Sequence, residues 1–495
     1  MQTRKDQLQA YRFVTTRAQA ALLHGDPDAV ETPMRRIGVA TLAGIMIAVL
    51  VVVGFGIFGL IRPGDKSGWQ ADGTLVVEKE TGGRFVYDKR DGLLHPVLNY
   101  TSARLFLGSA TVRVRYYSRS SLAAAGRGAP IGAPGLPDSI PPPGGLIEGA
   151  WTVCAHPTQD GPAVVGTRHA VAAPTVTLSV GFPVPGTHLD PDRALLVVLT
   201  AQADGDPYYL IWNDHALRIR DIRIATSGLS SLTVSKAVPV TGDWVNSIPP
   251  GPDLRPVDVP GRGVPGAGVA VGGVVRKIGQ VLLVPGEAGQ PDQYYVVLPA
   301  GVAPTTATDA LLLLGDPRER AAYAGQAPTP IRVAAPDVAP RAVAAVGTAG
   351  FPPGPVPTIV DPSQGGPRVA CSTYDVSAGT SVVSLTDAAP GARAPASGVV
   401  LPPGRAALVR VVPFAGGEPT GTTYLVTDAG VRYPVPSGDV LSALGYGAAR
   451  QTPVLKGIVD MIPAGPALDP VVASRPVVVS PGAVDVPGRS PGSGD

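Results

Sequence analysis

The sequence predicts a strand-rich α+β protein hung from one transmembrane helix. Three observations carry that prediction. A run of 25 residues, Ile37–Ile61, contains no charge. Glycine (62) and proline (55) are abundant, yet 44% of the chain is hydrophobic. Strand–turn–strand–helix patterns recur along the chain.

The composition separates folded from disordered readings. Disordered chains are polar and charged, whereas this one has 16% charged residues and a mean hydropathy of +0.20. Many short strands joined by Gly/Pro turns fit both numbers. Net charge is +2, and no arginine–aromatic cluster stands out, so nothing argues for nucleic acid.

The elements follow in order. Residues 1–36 are read as a cytoplasmic segment. In it Leu8, Tyr11, Val14, Ala18, Ala21 and Leu22 recur at three- and four-residue steps, which lines one helix face. That face suits either the inner leaflet or a cytoplasmic partner. Residues 37–61 are long enough to span a hydrocarbon core of roughly 30 Å. A cleaved signal peptide would have a shorter apolar part nearer the start. Arg4, Lys5, Arg12, Arg17, Arg35 and Arg36 precede the run, and only Arg62 and Lys66 follow closely. The positive-inside rule therefore expects a cytoplasmic N-terminus and an exported C-terminal bulk.

Beyond the anchor, VNSIPPGPDL from Val245 and VDMIPAGPAL from Val459 agree at six of ten positions. Upstream of each stands a hairpin, YYLIWNDHALRI from Tyr208 and TYLVTDAGVRYPV from Thr423. Tyr209 and Tyr424 are 215 apart, Ile248 and Ile462 are 214 apart, so the offset holds across a module. Looser copies begin at Arg84 and Gln293, and their helices close on Leu107-Gly108 and Leu314-Gly315, read as helix stops. The expected division is repeat 1 at 62–135, repeat 2 at 201–265, repeat 3 at 266–330 and repeat 4 at 406–479. A discontinuous, β-rich central domain takes 136–200 and 331–405, and 480–495 is a disordered tail. The turn residues Ile248, Pro249, Gly251 and Pro252, with Ile462, Pro463, Gly465 and Pro466, are expected to form ordered turns that cap the modules, both isoleucines being buried.

Cys154 and Cys371 are the only cysteines, one in each part of the central domain. In an exported, oxidising setting a bridge between them is favoured over two buried free thiols. Cys154 and His156 lack the further ligands of a zinc site. No metal or other cofactor is expected.

Motifs for catalysis are missing. GxSxG and HExxH do not occur. GRGVPG, Gly261–Gly266, matches a dinucleotide fingerprint in letters, but Pro260 and Pro265 deny it a strand before and a helix after. GLIRPGDKS, Gly59–Ser67, reads as the juxtamembrane linker. No catalytic residue is assigned, and the residues point to a structural or interaction role.

Several stretches resemble the EccB family of type VII (ESX) secretion systems: AYRFVTTR, LIRPGD, LLHPVLNYTSARLFLG, IGAPGLPDSI, WTVCAHP, YLVTDAGVRYPVP and IPAGPAL. The likeness covers nearly the whole chain. Family members often carry a second arginine-rich segment where this chain reads QAALLHGDPDAVE. The resemblance implies a structural subunit of an inner-membrane complex, with four periplasmic repeats around a disulfide-bonded centre. It implies self-association, and as partners EccC, EccD, EccE and a mycosin protease. It also attaches an ATPase activity, for which this sequence shows no nucleotide-binding motif. A membrane-anchored nucleotide hydrolase and a cell-wall-binding module stand as alternatives to the scaffold.

Overall fold

The computed structural model describes residues 3–25, 33–61, 68–109, 111–156, 174–182, 184–200, 208–287, 289–352, 356–362, 364, 368–387 and 398–477. Strands dominate, with short helices between them. The tail expected at 480–495 lies outside the described residues.

Helix Arg4–His24 starts where the Asp6 carboxylate accepts from the Thr3 backbone N–H and hydroxyl. It stops at Gly25, whose φ of 69° is left-handed. Leu8, Tyr11, Val14, Ala18 and Leu22 of its apolar face are exposed. The second helix, Pro33–Ile61, begins four residues before the uncharged run. Its segment Ile37–Ile57 has a mean hydropathy of 2.6 and is nowhere buried. Among the described residues it is the one helix long and apolar enough to cross a membrane.

Four modules then share one strand order. In module 1, strands Thr74–Glu78, Arg84–Asp88 and Leu93–Pro96 form an antiparallel meander. Helix Tyr100–Leu107 crosses over, and Arg113–Tyr117 returns parallel to the first strand. The spatial order is therefore third, second, first, fourth. Module 2 repeats it with Arg193–Leu199, Tyr208–Trp212, His215–Arg218, helix Ile222–Gly228 and Val238–Val240. Module 3 uses Val281–Val284, Gln293–Leu298, Gly301–Thr305, helix Ala307–Gly315 and Ile331–Arg332. Module 4 uses Ala406–Val412, Thr423–Thr427, Arg432–Val435, helix Gly438–Ala443 and Thr452–Leu455. A parallel return demands a crossover, which the helix supplies. Each crossover helix starts at a side chain that caps its free amides: Asn99, Asp221, Thr306 and Ser437.

The sheets redraw three expected boundaries. Arg193–Leu199, placed by sequence in the central domain, is the first strand of module 2 because it pairs with Tyr208–Trp212. Ile331–Arg332 closes module 3 by pairing with Val281–Val284. Thr358–Ile359 adds to the module 2 sheet beside Arg193 and Ala194. Among the described residues the central sheet keeps six strands: Val399–Val400, Thr175–Val180, Trp151–His156, Arg368–Asp375, Thr380–Asp387 and Thr187–His188, in that order.

The reading of Leu-Gly as a stop also changes in one copy. Gly108 is left-handed, φ 59°, and ends its helix as expected. Gly315 instead is the last residue of its helix, and Gly228 ends the helix of module 2. A Cβ on Gly315 would lie 2.4 Å from the Ile224 carbonyl oxygen, and one on Gly228 2.0 Å from that of Leu311. The two glycines let the two helix backbones touch.

The cores join modules as well as fill them. Leu105 of module 1 packs with Val440, Leu441 and Leu444 of module 4. Ala225 and Leu229 of module 2 pack with Leu312 of module 3. The largest core gathers Trp151, Val153 and Tyr374 of the central sheet, Trp244 and Ile248 beside module 2, and Ile458 and Ile462 beside module 4.

Candidate functional site: a disulfide-tied centre between paired modules

Strands Trp151–His156 and Arg368–Asp375 run antiparallel, with Cys154 directly opposite Cys371. The two are joined by a disulfide, with 4.1 Å between Cα atoms. Alternation along the strand turns Trp151, Val153 and Ala155 into the large core and Cys154 to the other face. On that second face the Thr152 and Thr373 hydroxyls lie 3.0 Å apart. With its sulfur in the bridge, Cys154 offers no thiolate to a metal. His156 is half-buried, and that burial holds its pKa below the ordinary value of 6.5.

The two proline turns occupy matching places. Pro249 carbonyl oxygen accepts from Ala216 N–H, and the Gly251 N–H donates back to the Ala216 carbonyl. In module 4, Pro463 accepts from Arg432 N–H and Gly465 donates to the Arg432 carbonyl. Leu254 and Leu468 donate to Arg218 and Pro434 in the same way. Each turn thus pairs alongside the third strand of its module, in the parallel sense. Ile248 and Ile462 are 3% and 1% exposed and share one core. Pro249 and Pro252 are half-buried, whereas Pro463 and Pro466 are exposed.

The glycines explain the shared letters. A Cβ on Gly251 would meet Leu217 Cδ1 at 2.9 Å, and one on Gly465 would meet Tyr433 Cε1 at 2.5 Å. Leu217 and Tyr433 follow Ala216 and Arg432, so the clash is the same clash twice. Both side chains are packed in cores and have little room to yield. Gly251→Ala and Gly465→Ala are each expected to destabilise by about 1–3 kcal/mol, the second more than the first. Thermal melts of the purified variants read this directly, and unchanged melts would break the equivalence.

Beside these turns, helices Gly242–Asn246 and Lys456–Asp460 meet. A Cβ on Gly457 would lie 2.2 Å from the Asn246 carbonyl oxygen. The neighbouring Ser247 carbonyl accepts from the Ser372 and Ser381 hydroxyls of the central sheet, both at 3.3 Å. Modules 2 and 4 therefore contact each other and the disulfide-bearing sheet at one place.

A buried charge cluster in module 3 was not legible in the sequence. Arg262 donates to Asp316 at 2.8 Å, and its Nη1 lies 3.3 Å from Glu319 Oε2. Arg318 also holds Asp316. Asp316 is 1% exposed and Glu319 fully buried. Burial works against the Asp316 charge, but donation from Arg318 and Arg262 wins and lowers its pKa. Glu319 has no hydrogen-bond donor among the described residues. Burial pushes it up to about 7, against the attraction of Arg262. The carboxylate is packed tightly against the backbone, since a Cβ on Gly279 would sit 2.2 Å from Glu319 Oε1. The nearest sequence signal was the charged run DPRER after an apolar helix, which has no period of its own.

Elsewhere, Asp88, Asp91 and His95 place ligand-type atoms within 4.8 Å of one another. Their contacts are local: Asp88 binds Arg90, and His95 lies between Asp91 and the Ala129 carbonyl. GRGVPG leads from a turn into strand Pro265–Val271, the opposite of a nucleotide fingerprint. Residues 62–67 of GLIRPGDKS lie outside the described residues.

Among the described residues, one membrane-compatible helix followed by a strand-rich, disulfide-tied body of similarly wound modules defines a class of proteins with a single candidate membrane span. Residues 1–477 match the family model "Type VII secretion system ESX-1, transport TM domain B", and the chain belongs to that family, the EccB family. It is 28% identical to "ESX-3 secretion system ATPase EccB3" of Mycolicibacterium smegmatis, over 96% of this chain and 92% of the relative. It is 27% identical to "ESX-1 secretion system ATPase EccB1" of Mycobacterium tuberculosis, over 92% of each. Among solved structures, a chain of an intact ESX-5 inner membrane complex superposes with a TM-score of 0.63 at 24% identity, covering 100% of this chain and 98% of that one. A chain of the EccB3 dimer from an ESX-3 core complex gives 0.59 at 25% identity, covering 81% and 99%. The α+β, strand-rich fold expected from sequence is the fold of these chains.

Proposed function

We propose that this protein is a structural subunit of a type VII (ESX) secretion membrane complex, forming its periplasmic assembly and supporting protein export across the inner membrane. The observation that carries the reading is the near full-length match to EccB proteins, on a body whose modules dock pairwise around a covalently tied centre. The basic flank before the apolar helix supports a cytoplasmic N-terminus and a periplasmic bulk. The division into four repeats and a central domain belongs to the same proposal, with the module limits read from the sheets. Solved relatives are described as an inner membrane complex and as a dimer. That supports self-association and partners of the EccC, EccD, EccE and mycosin kinds.

Membranes solubilised mildly and run on a native gel should show this chain in a large complex. A chain that runs only as a free monomer overturns the proposal.

The relatives' names favour a second reading, ATP hydrolysis. Phosphate release by the purified full-length protein decides it. Activity that saturates with ATP and survives re-purification supports the hydrolase, and its loss on re-purification leaves the scaffold.

A further inference from the structure

Among the described residues, strand Arg113–Tyr117 is the open edge of the module 1 sheet. Its Arg113 N–H donates inward to Gly73, and its Tyr117 carbonyl accepts from Lys79. Alternate residues of a strand aim their amide groups at opposite edges. Val114 and Tyr116 therefore turn N–H and C=O outward, away from the sheet. Val114 is 41% and Tyr116 63% exposed, and Arg113 and Arg115 are exposed too. The matching strands elsewhere are not left so open. Thr452–Leu455 is buried at three of four positions, Val238–Val240 is buried or half-buried, and Ile331–Arg332 is only two residues long.

The side chains say what would pair there. Register puts Arg113 and Arg115 on the face of Thr74 and Val76, and Val114 and Tyr116 on the face of Leu75 and Val77. Helix Tyr100–Leu107 covers Leu75 but leaves Val114 and Tyr116 bare. Among the described residues neither Arg113 nor Arg115 takes part in an ion pair. The nearby Glu78 is already held by Arg119 and Arg127. An added strand completes the open ladder, and side chains at alternate positions give it specificity. A second copy of this edge, paired antiparallel about Arg115, would bring two guanidinium groups face to face, which is unfavourable.

We propose that this edge binds, by strand addition, an extended segment of a partner polypeptide with carboxylates at alternate positions opposite Arg113 and Arg115, and apolar residues beside Val114 and Tyr116. The proposal rests on the edge alone and stands apart from the secretion assignment.

The test uses full-length protein in lipid nanodiscs and three labelled peptides: alternating Asp–Val, alternating Lys–Val, and the Asp–Val composition with its aspartates in one block. Val114→Pro removes only an outward N–H, so the inner ladder remains. The alternating Asp–Val peptide is expected to bind saturably, and the blocked one at least tenfold more weakly. Val114→Pro should weaken binding at least tenfold. Arg113→Glu with Arg115→Glu should do the same and gain binding of the Lys–Val peptide. If Val114→Pro fails to fold by circular dichroism, the charge-reversed pair decides. Equal binding of the two Asp–Val peptides, or by wild type and the charge-reversed pair, overturns the proposal. So does loss of self-assembly in sedimentation without any peptide binding, which would give the edge to a second copy.

Discussion

Replacing Cys154 and Cys371 together by alanine is expected to lower stability by about 5 kcal/mol. The bridge closes a loop of 217 residues, and the cost of leaving such a loop open in the unfolded chain grows with the logarithm of its length. Few single features of a folded chain carry as much. Alanine suits the site, because Val369 and Val184 surround the sulfurs and a serine would bury a hydroxyl there. The comparison is a denaturant titration of wild type with and without reductant, beside the double variant. Reduced wild type and the variant should share one midpoint, well below that of oxidised wild type. The single variants should fall as far as the double, since either one removes the cross-link. Overlapping curves with and without reductant would show that strand pairing alone secures the centre. Hydrogen exchange should rise first in Trp151–His156 and Arg368–Asp375, the two strands that the bridge joins.

The second large effect is a dependence on pH. Two buried carboxylates face one buried arginine, and Asp316 takes the better share of it. Glu319 therefore binds a proton more tightly when folded, at about 7, than in the unfolded chain at 4.5. A raised acid adds stability below its unfolded value, and that stability is lost as pH rises toward its folded value. The loss should run from about pH 4.5 to pH 7 and reach the order of 3 kcal/mol. Arg262, Asp316, Arg318 and Tyr323 are the charged or titratable groups coupled to it. His156 acts in the opposite sense, because its lowered value makes the fold gain stability as pH rises from that lowered value toward 6.5. The informative quantity is therefore the difference between wild type and Glu319→Gln. Melting both at pH 5 and pH 7.5 should show the variant losing less across that interval, by roughly the amount above. Parallel behaviour would mean that Glu319 stays ionised beside Arg262.

The pattern of what was legible has physical reasons. Hairpins declare themselves, because each pair of strands and its turn sit in one short stretch: Tyr208–Trp212 and His215–Arg218 flank Asn213 and Asp214, both at positive φ. The first and fourth strands of a module do not. Arg193–Leu199 lies beyond a linker, and Val238–Val240 returns only after the crossover helix, so neither alternates with its partner in sequence. The repeated proline turn was visible as letters, and its role as an extra partner of the third strand was not. Gly251 and Gly465 match because Leu217 and Tyr433 crowd them, a fact of packing. The same holds for Gly228 and Gly315. A glycine at a helix end reads as a stop until the second helix is seen against it. The cysteine pairing followed from number and compartment, whereas the direct opposition of Cys154 and Cys371 follows from register. Arg262 and Glu319 are far apart in sequence and carry no periodic signal, so only the fold brings them together.

The contact between the first and last modules has a mechanical consequence. The Val477 N–H donates to the Pro130 carbonyl, Ile131 pairs with Pro476, and Leu105 packs among Val440, Leu441 and Leu444. The described chain thus returns to its own beginning and clasps the module next to the anchor. A pull applied through the apolar helix would enter module 1 and pass straight into module 4, without first travelling through modules 2 and 3. Tension at the membrane would load the two ends of the body together, and it would reach the disulfide-bearing sheet from both, along the chain leading into Trp151 and along the chain from Val400 to Ala406.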